Sequence, residues 1–303
     1  MKILLFGSMG DISQTAEKAL KADGHEVVAV PFPQNVRRDA SGYERELLKA
    51  SRTFSPDAIL PVGNTVNISM IRASHPELPP VMVDSVLNTT LLDSKISASR
   101  IAAELGIPQP RIYKTIDEVE SFPVILKRDV SFGGSGVYKP SSPEALKRIT
   151  EHFAGKEFII EEYIEGTDWS VDAVRFGDCF RYGCYISLSN RGQGPSLTRK
   201  AAGFPLLGKY AEMILEAVDY RGVCGMDFRV ERDGKPFFLE CNPRLTGGLA
   251  TQIEAGFNIP AILAAAYIKE KRLLTKPLDQ NPSSSHLSEH SPLFLPKSKS
   301  TAK

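Results

Sequence analysis

The sequence predicts an α/β protein in which an N-terminal Rossmann-like domain with a parallel sheet is followed by two α+β subdomains. In the first part of the chain, short apolar strands alternate with helices, a pattern typical of parallel sheets. From about residue 123 the strands follow one another more closely, and Asp233-Gly234 predicts a hairpin turn between two of them. The chain has 303 residues, 42% of them hydrophobic, which is enough for two or three such units.

The strand pattern also sets the predicted domain boundaries. Apolar runs at 2–6, 25–30 and 57–62 predict the N-terminal strands, and residues 90–105 predict one amphipathic helix that Gly106 ends. We expect an N-terminal α/β domain at 1–86, a second domain at 87–276 with subdomains at about 110–165 and 166–276, and a disordered tail at 277–303.

Charge and composition exclude several classes of partner. The formal net charge is +1, so no global field favours nucleic acid, and no apolar run approaches the roughly 20 residues of a membrane span. The cysteines form no CxxC pair, which is typical of reduced thiols in a cytoplasmic protein. In the tail, His286 and His290 occur as HLSEH rather than HExxH, so we expect no metal site there.

The turn after the first strand has two interpretations. Residues 7–10 (GSMG) partly match a dinucleotide-binding turn, but the spacing is not GxGxxG and no acid ends the second strand. Nucleotide binding and a plain βαβ turn both remain open, and the plain turn is preferred.

A lysine and a glycine-rich loop suggest phosphate binding. Lys127 ends a predicted strand, and Gly133, Gly134 and Gly136 follow it. Such a loop can turn several backbone N–H groups toward an anion, and a nearby lysine adds a compact positive charge. The alternative is a hairpin with a glycine turn and a surface lysine.

The segment 158–174 suggests a site for a nucleoside. Three apolar residues lead into Glu161 and Glu162, and the backbone of such a strand end can hydrogen-bond a purine edge. Glu161 could accept from an exocyclic amine, and Asp168 could accept from ribose hydroxyls. An ordinary strand with solvated acids is the alternative.

The segment FFLECNPRLTGG, residues 237–248, has the most specific pattern. Glu240 and Asn242 are two residues apart on a predicted strand and share one face, and Asp227 lies on the partner strand of the hairpin. Two carboxylates and an amide oxygen suit Mg²⁺ shared with phosphate oxygens. Arg244 can then stabilise charge on a transferred phosphoryl group.

Taken together, these motifs resemble the ATP-grasp superfamily of carboxylate–amine ligases, in the branch of carbamoyl-phosphate synthases and amino-acid ligases. The resemblance covers roughly residues 1–275 and implies an ATP-grasp fold at 87–276, with a lid subdomain followed by a metal and substrate subdomain. The Asp…Glu-x-Asn-x-Arg hairpin is its specific motif.

The resemblance also implies a role for each matching residue. Arg244 and Lys127 would be catalytic, and Asp227, Glu240 and Asn242 would bind Mg²⁺ or Mn²⁺. Asp168 occupies the position of the usual ribose-binding Glu, one methylene shorter, and Gly247 and Gly248 match the loop that receives the substrate carboxylate. The ATP-binding residues would be Lys95, Lys127, Ser131, Gly133, Gly134, Ser135, Gly136, Val137, Glu161, Glu162, Tyr163, Ile164 and Asp168.

The implied activity is ATP-dependent ligation. A carboxylate would be activated as an acyl-phosphate and joined to an amine, with an amino acid or small peptide-like molecule as substrate. The oligomeric state stays open, with a homodimer as one option. A kinase-like enzyme that stops at phosphoryl transfer and a nucleotide sensor without turnover are the alternatives.

The polar segment 187–205 is expected to line the acceptor pocket. Its basic residues Arg191, Arg199 and Lys200 either hold a second carboxylate or belong to a solvated loop, and the sequence does not separate the two.

Overall fold

The computed structural model describes residues 1–7, 10–31, 40–131, 134, 136–153, 155, 157–190 and 196–274. The predicted tail, together with Gly133, Ser135 and Arg191, lies outside the described residues.

The N-terminal part contains the predicted parallel sheet. Its three strands are ordered β2-β1-β3, and both pairings are parallel. The elements are β1 (Lys2–Phe6), α1 (Asp11–Ala22), β2 (Glu26–Val30), α2 (Ala40–Phe54), β3 (Ala58–Pro61) and α3 (Thr65–Ser74). The parallel sheet is confirmed, while the finer Rossmann-like assignment remains a prediction.

The single helix predicted at 90–105 is wrong, because the chain forms two helices, α4 (Val86–Asp93) and α5 (Lys95–Glu104). Ser94 between them is extended, and its side chain accepts a hydrogen bond from the Ser97 N–H as the N-cap of α5. The Ser94 hydroxyl also donates to Asp129 Oδ1 at 3.0 Å. The break places Lys95 in the first turn of a new helix.

The middle of the chain forms a small antiparallel sheet covered by a helix. Its strand order is β4-β7-β5-β6. The elements are β4 (Ile112–Tyr113), β5 (Val124–Arg128), β6 (Val137–Tyr138), α6 (Pro143–His152) and β7 (Phe158–Glu162). Leu126 and Ile160 pack against Leu146 and Phe153 in a separate small core, so this unit, called the lid sheet below, has its own hydrophobic support.

The largest sheet is antiparallel, with the order β10-β9-β8-β11-β12. Its strands are β8 (Thr167–Phe176), β9 (Cys179–Asn190), β10 (Ser196–Ala201), β11 (Gly222–Val230) and β12 (Pro236–Asn242). The hairpin predicted around Asp233-Gly234 is confirmed, and Gly234 adopts the left-handed region with φ 90°. Strand β10 was not predicted, because its polar sequence suggested a loop.

Helices cover both faces of this main sheet. On one face α5 and α7 (Pro205–Ala217) pack over Tyr220, Phe228 and Phe238. On the other face α8 (Leu249–Glu254) and α9 (Ile259–Leu274) lie between the main sheet and the N-terminal strands, where Leu245 and Leu249 share a core with Ile3 and Leu5. The segment after β12 is therefore anchored to the N-terminal sheet.

Among the helices in the described ranges, none combines the length and apolar character that a bilayer crossing requires.

Asp172 is a buried carboxylate in the middle of β8. It is 1% exposed, and its Oδ1 accepts a hydrogen bond from the Thr246 hydroxyl at 2.8 Å. Its Oδ2 has no hydrogen-bond partner within the described part of the chain. Burial raises the pKa of Asp172 from the ordinary 3.8 to about 6, so ionising this group opposes folding.

The Asp172→Asn variant should therefore be more stable than the wild type at high pH. Below pH 3.8 the carboxyl is protonated in both folded and unfolded chains, and its penalty builds up as pH rises from 3.8 to about 6 and is complete above that. At about 1.36 kcal/mol per pKa unit, the gain in unfolding free energy should reach up to about 3 kcal/mol at pH 8 and fall toward zero at pH 4. Urea unfolding of both proteins between pH 4 and pH 8 measures this gain in unfolding free energy. A stability difference that does not change with pH would contradict the raised pKa of Asp172.

Candidate active site

A cavity of about 320 Å³ lies between the lid sheet and the main sheet. Most of the predicted site residues are in its wall: Lys127, Ser131, Gly134, Val137, Glu161, Glu162, Tyr163, Ile164, Asp168, Asp227, Glu240, Asn242 and Arg244. Lys95 and Gly136 lie beside the cavity rather than in its wall. The structure thus brings together segments that are more than a hundred residues apart in sequence.

The hairpin β11–β12 carries the acidic part of the site. Asp227 and Glu240 are directly opposite each other in the strand register. The Asn242 amide nitrogen lies between them, donating to Asp227 Oδ2 at 3.2 Å and to Glu240 Oε1 at 3.4 Å. The Ser170 hydroxyl donates to Asp227 Oδ1 at 2.6 Å. Both carboxylates are therefore held in fixed positions.

The two carboxylates differ in their electrostatics. Burial, followed by the neighbouring Glu240 carboxylate, raises the pKa of Asp227 well above its ordinary range. Burial acts in the same direction on Glu240, but Lys95 and Lys127 outweigh it and leave the pKa of Glu240 below its ordinary value. An added cation between the two oxygens would remove the repulsion that acts on Asp227.

This donor set fits a magnesium ion shared with a nucleotide. Among the described residues, no cluster of three or more His, Cys, Asp and Glu side chains could hold a metal by itself. Two carboxylates leave most of the coordination sphere to water and phosphate oxygens, which is the usual arrangement for Mg²⁺ in phosphoryl-transfer sites. The Asn242 side-chain oxygen accepts a hydrogen bond from Arg244 Nη2 at 2.6 Å. The side-chain amide would have to rotate by 180° before this oxygen could become a metal ligand.

Lys95 lies beneath the acidic hairpin. Its ammonium is 3.1 Å from Glu240 Oε2, and it also donates to the Asp129 carbonyl at 3.2 Å and the Ser131 hydroxyl at 3.4 Å. The Asp129 carboxylate in turn accepts from the Ile96 N–H at 2.9 Å, at the start of α5. Asp129 thereby positions the helix that carries Lys95, a role that sequence analysis missed.

Lys127 is buried and paired. It lies 2.9 Å from Glu161 Oε1, with the two side chains only 6% and 4% exposed. Its ammonium also donates to the Leu239 carbonyl of β12 at 2.9 Å. The alternative of a surface lysine on β5 is therefore wrong, and Glu161 has a role not predicted for it, since it holds Lys127.

The glycine-rich loop folds back on β5. Gly134 and Gly136 both have positive φ, at 76° and 79°. The Arg128 N–H donates to the Gly136 carbonyl at 3.0 Å, and a Cβ on Gly136 would lie 2.8 Å from the Arg128 Cδ. A larger residue at position 136 would therefore be strained and crowded.

The segment that the sequence predicts to bind a nucleoside begins with strand β7 of the lid sheet. The Glu162 N–H donates to the Arg111 carbonyl at 2.9 Å, so a purine contact from Glu162 would have to use its carbonyl. Asp168 Oδ1 lies 3.0 Å from Arg229 Nε, an ion pair that sequence analysis did not anticipate.

Sequence analysis also missed Ser170, which lies in the cavity wall, and Asp172, which is buried and holds Thr246 of that wall. Both follow Asp168 at the two-residue period of a strand, and Ser170 is opposite Asp227 in the register. The periodicity of β8 would have identified them as sharing the face of Asp168.

The chain is similar in sequence to several known proteins. A family model described as "ATP-grasp in the biosynthetic pathway with Ter operon" matches residues 154–281. The carbamoyl phosphate synthase large chain of Thermoanaerobacter sp. is 26% identical over 167 residues, covering 48% of this chain and 16% of that protein. The D-alanine–D-alanine ligase of Fusobacterium nucleatum is 26% identical over 174 residues, covering 52% of this chain and 58% of the ligase.

The fold is also that of solved structures. A biotin carboxylase–β-γ-ATP complex from Campylobacter jejuni superposes with a TM-score of 0.74 at 18% identity, covering 88% of this chain and 70% of the other. The alignments to the first three carbamoyl phosphate synthases span 16% of the length of each. The chain is therefore similar to an ATP-grasp family model over residues 154–281, to carboxylate–amine ligases in sequence, and to a biotin carboxylase in fold.

Proposed function

We propose that this protein is an ATP-dependent ligase that activates a carboxylate as an acyl-phosphate and joins it to an amine of a small molecule. The observation that carries the proposal is the convergence of Asp227, Glu240 and Arg244 opposite Lys127 in one cavity. A carboxylate pair, a guanidinium and a buried lysine are the groups that phosphoryl transfer to an acid requires.

The nucleotide would lie between the two sheets. Its base would meet the strand end at Glu162 and Ile164, and its ribose would meet Asp168. The phosphates would then extend toward Lys127 and the loop that contains Gly134. This orientation brings the terminal phosphate to the hairpin of Asp227 and Glu240.

Magnesium held by Asp227, Glu240 and Asn242 would neutralise charge on the phosphate oxygens. The other contributions come from the chain itself. Arg244 would orient the acid for attack on the terminal phosphorus and stabilise the charge that develops there. The acid oxygen bonds to phosphorus as ADP leaves, and the amine nitrogen then bonds to the carbonyl carbon as phosphate leaves. With the reactants aligned, the protein supplies position and charge rather than a covalent bond.

The names of the relatives support the same class of reaction. A D-alanine–D-alanine ligase and a carbamoyl phosphate synthase are among the matching proteins. The kinase-like alternative and the nucleotide sensor differ from the ligase in which reactants they require.

The dependence of ADP release on the two substrates distinguishes the three. For a ligase, we expect fast ADP release only when acid and amine are both present. A kinase-like enzyme would release ADP with the acid alone and accumulate a phosphorylated product, and a sensor would release none. The assay is coupled ADP detection over a matrix of small acids and amines, with mass spectrometry of the products.

The Glu240→Gln variant tests the acidic hairpin. The amide oxygen can still accept from Lys95, so the fold should persist, but one negative ligand for the cation is lost. We expect turnover to fall by at least about 100-fold, because cation binding offsets the charge that develops during transfer. Steady-state ADP release across a Mg²⁺ titration measures the loss.

The matched control is Glu165→Gln. Glu165 is 76% exposed and pairs only loosely with Arg232 at 3.4 Å. This variant should keep wild-type turnover, and an equal rate for Glu240→Gln would contradict the metal assignment.

The Lys127→Met variant tests the buried pair. It should bind ATP weakly, and it should also be unstable by about 3–5 kcal/mol, because Glu161 would remain as an unpaired buried carboxylate. Adding Glu161→Gln should restore much of the stability but not the ATP affinity. Urea unfolding and calorimetric ATP titration of both single variants and the double variant give a double-mutant cycle for stability and for ATP affinity. A double variant as unstable as Lys127→Met would show that the pair is not coupled.

A further inference from the structure

The cavity contains a second guanidinium, Arg199, in addition to Arg244. Arg199 lies on β10, opposite Ser187 of β9, and both residues are in the cavity wall. Lys200, the next residue, is opposite Ile186 and is exposed outside the cavity wall. Adjacent strand residues point to opposite faces of a sheet, so the structure separates two basic residues that the sequence left equivalent.

The Arg199 side chain is incompletely satisfied. Its Nε is buried and has no hydrogen-bond partner among the residues that the structure describes. A buried donor without an acceptor is unfavourable, so a bound acceptor would stabilise this position. A guanidinium has its donors in a planar fork that matches a carboxylate.

The surroundings hold Arg199 in place. Its guanidinium carbon lies 5.9 Å from the centre of the Tyr185 ring. The turn after β12 approaches it closely, since a Cβ on Gly247 would lie 3.0 Å from Arg199 Nη2. Glycine at 247 therefore keeps the space beside the guanidinium open.

A hydrogen-bonded chain fixes the wall behind Tyr185. The Thr246 hydroxyl donates to Asp172 Oδ1 at 2.8 Å, so its oxygen is left to accept from the Tyr185 hydroxyl at 3.3 Å and the Gly248 N–H at 3.2 Å. A side chain at position 248 would collide with the Tyr185 ring, since a Cβ there would lie 2.2 Å from it. The pocket beside Arg199 is therefore rigid before any ligand binds.

The backbone that carries Arg199 lies away from the acidic hairpin, while its guanidinium reaches the turn at Gly247. Strand β10 is three positions from β11 in the main sheet, and a spacing of about 4.8 Å per strand puts the two backbones roughly 14 Å apart. The acid that is activated must lie near Asp227 and Arg244. An anion bound at Arg199 would lie in the same cavity, beside the Gly247 turn and on the β10 side of the activated acid.

We propose that Arg199 binds the α-carboxylate of the amine substrate, which makes the acceptor an α-amino acid. The inference rests on the proposed ligase function and names the chemical class of its second substrate. Arg199 is a specificity-determining residue in this account, because it selects amines that carry a carboxylate and takes no part in forming the acyl-phosphate.

The test compares matched amines in Arg199→Gln and wild type. Each L-amino acid is offered beside its α-carboxamide, which keeps the amine and loses the carboxylate. N-acetyl amino acids and small carboxylic acids serve as substrates that can only be activated. ADP release at saturating ATP gives KM for each amine and each acid, and thermal unfolding confirms that the variants fold.

We expect wild type to prefer the amino acid to its carboxamide by at least about 10-fold in KM, as loss of a charge-assisted contact predicts. Arg199→Gln should raise KM for the amino acid by a similar factor and leave KM for the carboxamide and for the activated acid nearly unchanged. Lys200→Gln is the matched control on the same strand and should resemble wild type.

Three results would overturn the inference alone: unchanged discrimination in Arg199→Gln, an equal rise of KM for amino acid and carboxamide, or a rise confined to the activated acid. The last would mean that Arg199 binds the donor substrate. A wild-type protein that releases no ADP with any pair would instead refute the proposed ligase function, and the inference with it.

Discussion

The site depends on one buried ammonium that joins the two sheets. The Lys127 side chain extends from the lid sheet toward the main sheet. Its ammonium pairs with Glu161 at 2.9 Å and donates to the Leu239 carbonyl of the main sheet at the same distance. Desolvating a lysine is costly unless it is paired and hydrogen-bonded, and here it is both. The lid sheet is therefore tied to the strand that ends in Glu240 and Asn242, so the cavity walls on the lid-sheet side and on the hairpin side are held together.

A second buried lysine also joins separate segments of the site. Lys95 bridges Glu240 and the backbone of Asp129, and Asp129 also caps the start of α5. Together the two lysines hold the pKa of Glu240 below its ordinary value although the group lies in a desolvated wall. Asp227 has no lysine partner of this kind among the described residues, and burial and the Glu240 carboxylate raise its pKa. This asymmetry supports the proposed Mg²⁺ site at the hairpin, where the ion would be shared with the nucleotide phosphates.

Sequence reasoning reached the hairpin because its evidence is local. Glu240 and Asn242 differ by one strand period, and Asp233-Gly234 fixes the partner strand, so their shared face follows from backbone geometry. It could not reach contacts that join distant segments, such as Lys127 with Glu161 or Asp168 with Arg229, because no periodicity relates them. The helix break at Ser94 was missed for the same reason, since Asp129 stabilises it from 35 residues away. Strand β10 was missed because its sequence is mostly polar: Arg199 lines the cavity and Lys200 is exposed, so the strand shows no clear apolar alternation.

We propose that this network transfers the terminal phosphate of ATP to a carboxylate oxygen. This transfer is tested most directly by running the reaction in ordinary water with an acid whose carboxylate carries ¹⁸O, and measuring the released phosphate by mass spectrometry. If an acyl-phosphate forms and an amine displaces phosphate from it, one labelled oxygen must leave with each phosphate. Unlabelled phosphate, with product formed at the same rate, would contradict the account.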